Sequence, residues 1–399
     1  MTTYLTGGID MFNLSKQDLE NNKAVNTATE IYQQPVVWQE MIDSLLEDSE
    51  STRGFIKSIY EKHDVVRVIF TGAGTSAFAG DTLVPELRRQ NQGKVQFESI
   101  ATTDIVSNPT EFLYKETPTI LVSFARSGNS PESVAAVSLG QDIVDDFYQV
   151  NITCNKDGKL AVNSKDDDNS ITILTPEKAH DQSMAMTSSF SSMIIAAYFI
   201  FSPKEFTEDT LTHVISNANR LVEEIGDDID AIVNVDFERI IYLGSGLLSE
   251  LSHEAALKML ELTAGKVVAV HESSLGFRHG PKSILNDKSA VVLFMSQDPY
   301  TRKYDMDILR EVAADESDLK VIVLADEVDA EMKELADWAI EVNTEEKTFD
   351  NDFELALLYV VFAQALAMKK SIQLGITPDN PSPTGRINRV VKGVTIYEY

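Results

Sequence analysis

Short apolar runs alternate with longer segments of helical periodicity along most of the chain. The first run covers residues 65–70, and a glycine-containing turn separates it from a helical pattern over about residues 77–90. Similar runs follow at 94–99, 119–124 and 149–153, with helical or turn-forming segments between them. Apolar strands that alternate with helices predict a parallel, doubly wound α/β sheet.

The same pattern then starts again. A long helical region at about 186–226 is interrupted near Pro203, and an apolar run at 239–243, a Gly-Ser-Gly turn and a helix at 248–264 follow it. Because this order repeats that of the first half, the sequence predicts two three-layer αβα domains. Further strands are predicted at 290–295, 319–324 and 338–342, and a final helix from 351 to about 370.

Two stretches of unusual polarity also lie within this pattern of strands and helices. The polar stretch 156–170 is typical of a solvated loop. The longest apolar run, 193–201, is far shorter than the roughly 20 residues of a membrane span, so it predicts a buried helix and no membrane partner. We expect an N-terminal helical arm at 1–50, a first domain at 51–204, a second domain at 205–380 and a C-terminal tail at 381–399.

Composition narrows the class of protein. The 399 residues are 43% hydrophobic, as in a globular protein, and the formal net charge of −29 argues against a nucleic-acid partner. Cys154 is the only cysteine, and its position after a strand favours a small buried apolar residue over a nucleophile. The N-terminus lacks the pattern of a signal peptide, so we expect a cytoplasmic protein. The histidines lack metal-site spacing, and neither a metal nor a cofactor is expected.

Two hydroxyl-rich turns carry the first candidate chemistry. TGAGTS at 71–76 and ARSGNS at 125–130 each follow a predicted strand and open a predicted helix, and Ser130 precedes Pro131 at an N-cap position. Amides, hydroxyls and a helix dipole can bind one oxyanion. One such turn would be an ordinary connection, but two on adjacent parallel strands meet where ligands bind. The sequence therefore predicts a phosphate in the first half, because the later Gly-Ser-Gly turn lacks the Thr and Ser.

Charged residues line one stripe of the predicted helix 248–264. Glu254, Lys258 and Glu261 are spaced at i, i+4 and i+7 on a helix that is otherwise largely apolar. This spacing is as typical of a surface helix with a weak Glu–Lys pair as of a cavity-facing carboxylate that acts as a general base. The sequence leaves both interpretations open.

Two later segments also carry candidate groups. Residues 271–281 are polar, end in a Gly-Pro break and predict an irregular loop, in which His279 is either a surface residue or a group that transfers protons near neutral pH. Residues 384–396 predict either a solvated tail or a lid that brings a cation to an anionic site, and they contain Arg386, Arg389 and Lys392.

Together these segments resemble the double sugar-isomerase (SIS) family. The resemblance covers nearly all of the chain after about residue 50 and is carried, in order, by GAGTS, ARSGNS, EAALKMLELTAGK, ESSLGFRHGP and VVKGVTI. The sequence is similar to the isomerase half of glucosamine-6-phosphate synthase. It is more similar to the AgaS branch, whose members are galactosamine-6-phosphate deaminase/isomerases, formerly named tagatose-6-phosphate ketose/aldose isomerases.

The resemblance implies a role for each matching residue. Glu261 would move the proton between carbon 1 and carbon 2, His279 would assist ring opening in its own or the neighbouring subunit's site, and Lys392 would reach the open-chain carbonyl. The resemblance also implies a homodimer or larger homo-oligomer. The residues expected to bind the sugar phosphate are Gly74, Thr75, Ser76, Arg126, Ser127, Gly128, Ser130, Glu254, Lys258 and Arg278.

The sequence departs from the synthase in two places. Ala125 replaces a serine, so one phosphate donor is missing and Arg126 is expected to compensate. The glutamine-hydrolysing domain has no counterpart, position 2 being Thr2, which favours the ammonia-releasing direction. We therefore expect conversion of galactosamine 6-phosphate to tagatose 6-phosphate and ammonia. The alternatives are an aldose/ketose isomerase without deamination and a sugar-phosphate sensor without turnover.

Overall fold

A computed structural model of the protein describes residues 10–91, 93–391 and 393–399. The chain divides into two compact units, each assembled from segments that are distant in sequence. The first unit contains Val36–Asp181, Met186–Thr210 and the tail from Ile387 onward. The second unit contains the described residues up to Pro35, together with Gln182–Ala185 and Leu211–Arg386.

The first unit is built on a parallel sheet. Its strands are β1 (Val66–Thr71), β2 (Val95–Ser99), β3 (Thr119–Ala125), β4 (Phe147–Thr153) and β5 (Ser170–Leu174). They lie in the order β2-β1-β3-β4-β5, and all neighbours are parallel. The three central strands are buried along their whole length, as expected of parallel strands covered on both faces.

The second unit repeats this sheet. Its strands are β6 (Arg239–Gly244), β7 (Val268–Ser273), β8 (Ser289–Phe294), β9 (Lys320–Ala325) and β10 (Trp338–Glu341). Their order is β7-β6-β8-β9-β10, which matches the order of the first sheet strand for strand. All neighbours are again parallel. The predicted fold class, two αβα domains of doubly wound parallel sheet, is confirmed.

Helices connect the strands. In the first part of the chain they are α1 (Lys16–Asn22), α2 (Val25–Tyr32), α3 (Gln34–Glu47), α4 (Ser49–Lys62), α5 (Thr75–Gln90), α6 (Thr102–Ser107), α7 (Pro109–Phe112), α8 (Pro131–Ile143) and α9 (Lys159–Asn163). They continue with α10 (Ser188–Phe201), α11 (Thr212–Glu224), α12 (Gly226–Val233), α13 (Leu247–Leu262), α14 (Thr301–Ala313), α15 (Ala330–Leu335) and α16 (Asp352–Gln373). Short 3₁₀ turns lie at Glu177–Ala179, Gly276–Arg278 and Pro281–Ile284.

One apolar helix lies in the core of each unit. Every residue of α10 is buried in the first unit, as the sequence predicted for residues 193–201. In the second unit, α16 packs against α11 and α13. Among the described helices, α16 alone is long and apolar enough by composition to cross a membrane, but 94% of its most apolar stretch is buried inside the protein. It is therefore a core helix of its unit.

The prediction missed one edge strand in each sheet. The stretch 156–170 is not simply a solvated loop, because it contains α9 and the first residue of β5. Residues 271–273, predicted to be irregular, belong to β7. Both strands are only partly buried, so neither shows the continuous apolar run that identifies the central strands.

Candidate active site

The turn between β1 and α5 places the TGAGTS hydroxyls at the carboxyl edge of the first sheet. A Cβ on Gly72 would lie 2.5 Å from Ser76, so only glycine allows the turn to approach the helix this closely. Gly74 has φ +57°, a backbone conformation that glycine adopts without strain. Thr75 and Ser76 follow as the first residues of α5 and are largely buried. Their amides are among the first of the helix, which have no acceptor within it.

The second turn lies beside the first. β1 and β3 are neighbours, with Thr71 opposite Ser123, so both turns leave the same edge of the sheet. Gly128 has φ +66°, and the Ser127 carbonyl accepts a hydrogen bond of 2.8 Å from the Asn155 side chain. Ser130 is the N-cap residue of α8 and Pro131 follows in its first turn, as predicted. In a parallel sheet of this order, ligands bind at the carboxyl edge where the strand order reverses, between β1 and β3.

The second unit has a turn of similar backbone conformation, and a hydroxyl of this turn donates to a carboxylate of the same unit. Gly246 has φ +57° and ψ −127°, nearly the values of Gly74, which are +57° and −130°. The Ser245 hydroxyl of this turn donates to Asp305 on α14 at 2.5 Å. Ser274, after β7, donates to the same oxygen at 2.6 Å, and the Ser296 amide, after β8, donates to the other at 3.0 Å.

Asp305 therefore accepts hydrogen bonds from residues that follow β6, β7 and β8. Its side chain is almost fully buried, and burial raises its pKa above the ordinary value even though the hydrogen bonds from Ser245 and Ser274 oppose the rise. The repeated sheet thus carries two similar turns, of which the later one is satisfied internally. A phosphate bound in the first half stays a prediction.

Helix α13 of the second unit holds the predicted stripe of charged residues, and their burial excludes the surface ion pair. Glu254 and Lys258 are completely buried, whereas the Glu261 side chain is 26% exposed. The Lys258 ammonium lies 2.6 Å from Glu261 Oε2 and 3.4 Å from Glu254 Oε1. The stripe is therefore not a surface ion pair: a buried cation sits between a buried and a partly accessible carboxylate.

The loop after β7 exposes His279. This residue lies between the 3₁₀ turns Gly276–Arg278 and Pro281–Ile284, and its amide donates to the Gly276 carbonyl at 2.9 Å. Arg278 pairs with Glu311 on α14, and Lys282 donates to the same carboxylate at 2.8 Å. The hydrogen bonds from Lys282 and then Arg278 lower the pKa of Glu311. The substrate-binding role of Arg278 stays a prediction.

A stacked pair of imidazoles joins β7 to α13. The rings of His253 and His271 have centroids 3.8 Å apart and are nearly parallel, at 13°. Burial and then the neighbouring His271 lower the pKa of His253 to about 4. The stacked rings thus connect β7, which leads into the His279 loop, with α13, which carries Glu261.

The tail from residue 387 belongs to the first unit. Lys392, the predicted contact to the open-chain carbonyl, lies outside the described residues. Arg389 is described: its guanidinium donates to the Asp181 carbonyl, and its own carbonyl accepts a hydrogen bond of 2.9 Å from Arg126. Arg389 is not among the site residues predicted from the sequence, because no spacing along the chain links position 389 to position 126.

Cys154 and the histidines give no sign of a metal site. Burial raises the pKa of the Cys154 thiol to about 12, which supports the prediction of an inert residue. Within the described residues, no three side chains of His, Cys, Asp or Glu come together in a group that could hold a metal ion.

Comparison with known proteins identifies the family. The SIS domain model matches the chain twice, over residues 60–203 and 235–371. The chain belongs to the SIS-domain family. Within that family it is 41% identical to the D-galactosamine-6-phosphate deaminase AgaS of Shewanella sp. strain ANA-3, covering 97% of this chain and 95% of that one.

Two further relatives show the range of the family. The crystal structure of tagatose-6-phosphate ketose/aldose isomerase from Escherichia coli is 36% identical, with a TM-score of 0.86, and the match covers 94% of this chain and 97% of that chain. The glutamine–fructose-6-phosphate aminotransferase of Brucella abortus is 25% identical and matches 83% of this chain but 52% of the longer enzyme. The family and the branch expected from the sequence are confirmed.

Proposed function

We propose that this protein is a D-galactosamine-6-phosphate deaminase that also isomerises the sugar, giving tagatose 6-phosphate and ammonia. The observation that carries the proposal is 41% identity to the deaminase AgaS over nearly the whole of both chains. Two features support it: the paired turns after β1 and β3, and the Glu254–Lys258–Glu261 cluster on α13.

The proposal assigns roles to three serines of the two turns, to His279 and to Glu261. Ser76, Ser127 and Ser130, with the amides of their turns, bind the 6-phosphate, and His279 transfers the protons that open the sugar ring. Glu261 removes the proton from carbon 2 and returns it to carbon 1, while the carbon 1 oxygen gains a proton and the amino nitrogen loses one, so the aldosamine becomes the isomeric ketose imine. Water then adds to the carbon 2 imine and ammonia leaves, which gives tagatose 6-phosphate.

The position of Glu261 suits this task. Lys258 holds one of its oxygens at 2.6 Å, and the side chain is partly accessible, so a substrate can reach it. Glu254 is fully buried and balances part of the Lys258 charge. We therefore assign proton transfer to Glu261 and a positioning role to Lys258 and Glu254.

The variant Glu261→Gln tests the assignment. It should still bind galactosamine 6-phosphate, measured by calorimetry, but release ammonia about 10²–10⁴-fold more slowly, because a positioned acid–base group typically contributes that factor. Glu224→Gln on α11, whose side chain is 64% exposed, is the matched control and should turn over normally. Ammonia release by Glu261→Gln at the wild-type rate would show that another group moves the proton.

An isomerase that keeps the nitrogen is the second candidate. The Escherichia coli structure described above carries the name of a ketose/aldose isomerase, which supports this alternative. The two reactions share the proton shift between carbons 1 and 2, so ammonia is the distinguishing product. A coupled enzymatic assay for ammonia, run on the purified protein, distinguishes the deaminase reaction from the isomerase reaction. A homodimer or larger homo-oligomer in the cytoplasm also belongs to the proposal, and light scattering tests the assembly.

A further inference from the structure

An arginine side chain of the second hydroxyl-rich turn contacts the backbone of the C-terminal tail, at a residue that is itself an arginine. Arg126 is itself part of that turn, between the end of β3 and Ser127. Its Nη2 donates to the carbonyl of Arg389 at 2.9 Å, so the tail runs directly over the turn. Arg126 is largely buried, whereas Arg389 is exposed and its guanidinium can be reached from solvent.

The contact that holds Arg389 is rigidly supported. The Arg389 guanidinium donates to the carbonyl of Asp181, whose own side chain is completely buried. The Asp181 carboxylate accepts hydrogen bonds from the amides at the start of α10, from Thr187 at 2.8 Å, Ser188 at 3.1 Å and Ser189 at 3.0 Å. The carbonyl that Arg389 contacts therefore belongs to a residue whose side chain is bound at the N-terminus of α10.

The two arginines concentrate positive charge in a protein of net charge −29. Burial first, and then the charges of Arg389 and Arg126, lower the pKa of His180, whereas the Asp181 carboxylate opposes this shift. Among the described residues, Arg389 has no carboxylate within ion-pair distance, since its one recorded acceptor is a neutral carbonyl. A guanidinium has five N–H donors, so most of those on Arg389 remain for a ligand.

We propose that Arg389 is a substrate-binding residue, which the tail brings to the β3–α8 turn so that it contacts the phosphate of the sugar together with Arg126. The inference rests on the proposed function for the identity of the sugar phosphate alone. Guanidinium groups suit this task since their planar N–H donors match phosphate oxygens.

The test compares Arg389→Ala with Arg386→Ala. The first variant removes the guanidinium but keeps the backbone carbonyl that Arg126 contacts. Arg386 is an exposed arginine of the same tail, and its guanidinium makes no hydrogen bond or ion pair with the residues that the structure describes. Binding of inorganic phosphate and of galactosamine 6-phosphate is measured by calorimetry, and unfolding of the ligand-free proteins checks the fold.

Arg389→Ala should bind both ligands about 10- to 100-fold more weakly, the range for one hydrogen bond to a charged group. In turnover it should raise KM and leave kcat nearly unchanged, because the phosphate does not react. Arg386→Ala should behave like the wild type. If the alanine variant unfolds, Arg389→Lys replaces it, and a smaller loss is expected because the charge remains while the planar donor set is lost.

The outcomes separate this inference from the proposed function. Unchanged affinity of Arg389→Ala for both ligands, with Ser76→Ala weakened, would overturn the role of Arg389 and leave the deaminase proposal intact. A wild-type protein that releases no ammonia but loses phosphate affinity on Arg389→Ala would overturn the deaminase and support the arginine. Equal weakening by Arg386→Ala would mean that general tail charge, and not this residue, attracts the anion, which would also overturn the inference.

Discussion

Replacing Lys258 by methionine should destabilise the second unit strongly. The Lys258 ammonium is fully buried and lies 3.4 Å from a carboxylate, Glu254, that is also fully buried. Methionine keeps most of the volume but leaves Glu254 as a buried charge without this cation. Removal of one partner from a buried pair typically costs about 3–5 kcal/mol. Glu261 adds little to this cost, because its side chain is 26% exposed and water can take over its solvation.

The matched control is Lys57→Met on α4. Lys57 and Glu61 form a pair of the same i, i+4 spacing at 3.7 Å, but their side chains are 76% and 68% exposed. Loss of such a surface pair costs about 0.5 kcal/mol or less. Urea unfolding followed by circular dichroism gives both changes from the shift in midpoint and the slope of the transition.

A double variant completes the test. Glu254→Gln combined with Lys258→Met removes the buried charges together, and should recover most of the stability that Lys258→Met loses. If Lys258→Met lowers the free energy of unfolding no more than Lys57→Met does, or if the double variant recovers nothing, the idea that Lys258 neutralises a buried carboxylate is wrong.

Two further predictions use single titrating groups. The Cys154 thiol, with its pKa raised from 9.0 to about 12, should react with iodoacetamide at pH 8 about a thousandfold more slowly in the native protein than in urea; similar rates would contradict the burial. The pKa of His253 is lowered from 6.5 to about 4, so between these values the unfolded state binds more protons and acid destabilises the fold. Melting temperature measured from pH 7 down to 4 should therefore fall less steeply for His253→Asn than for the wild type, and parallel profiles would refute this.

The sequence alone predicted the central strands of both sheets and the two turns that follow β1 and β3. These features depend on local chemistry: a strand buried on both faces must be continuously apolar, and a tight turn before a helix must contain glycine and small polar residues. The family resemblance added proposed roles for Glu261 and His279, because each lies in a motif of consecutive residues. Even the later Gly-Ser-Gly turn was identified, and its backbone matches that of Gly74.

Tertiary structure decided what local sequence leaves ambiguous. β5 and β7 are partly exposed edge strands, so only their pairing with β4 and β6 identifies them. The spacing of Glu254 and Lys258 fits a surface or an interior equally well, and burial depends on how α16 packs over α13. Asp305 and Arg389 reach their turns from about 60 and 263 residues away. Spacing along the chain carries no information about such contacts, because in each unit only the folded structure brings the distant segment to its turn.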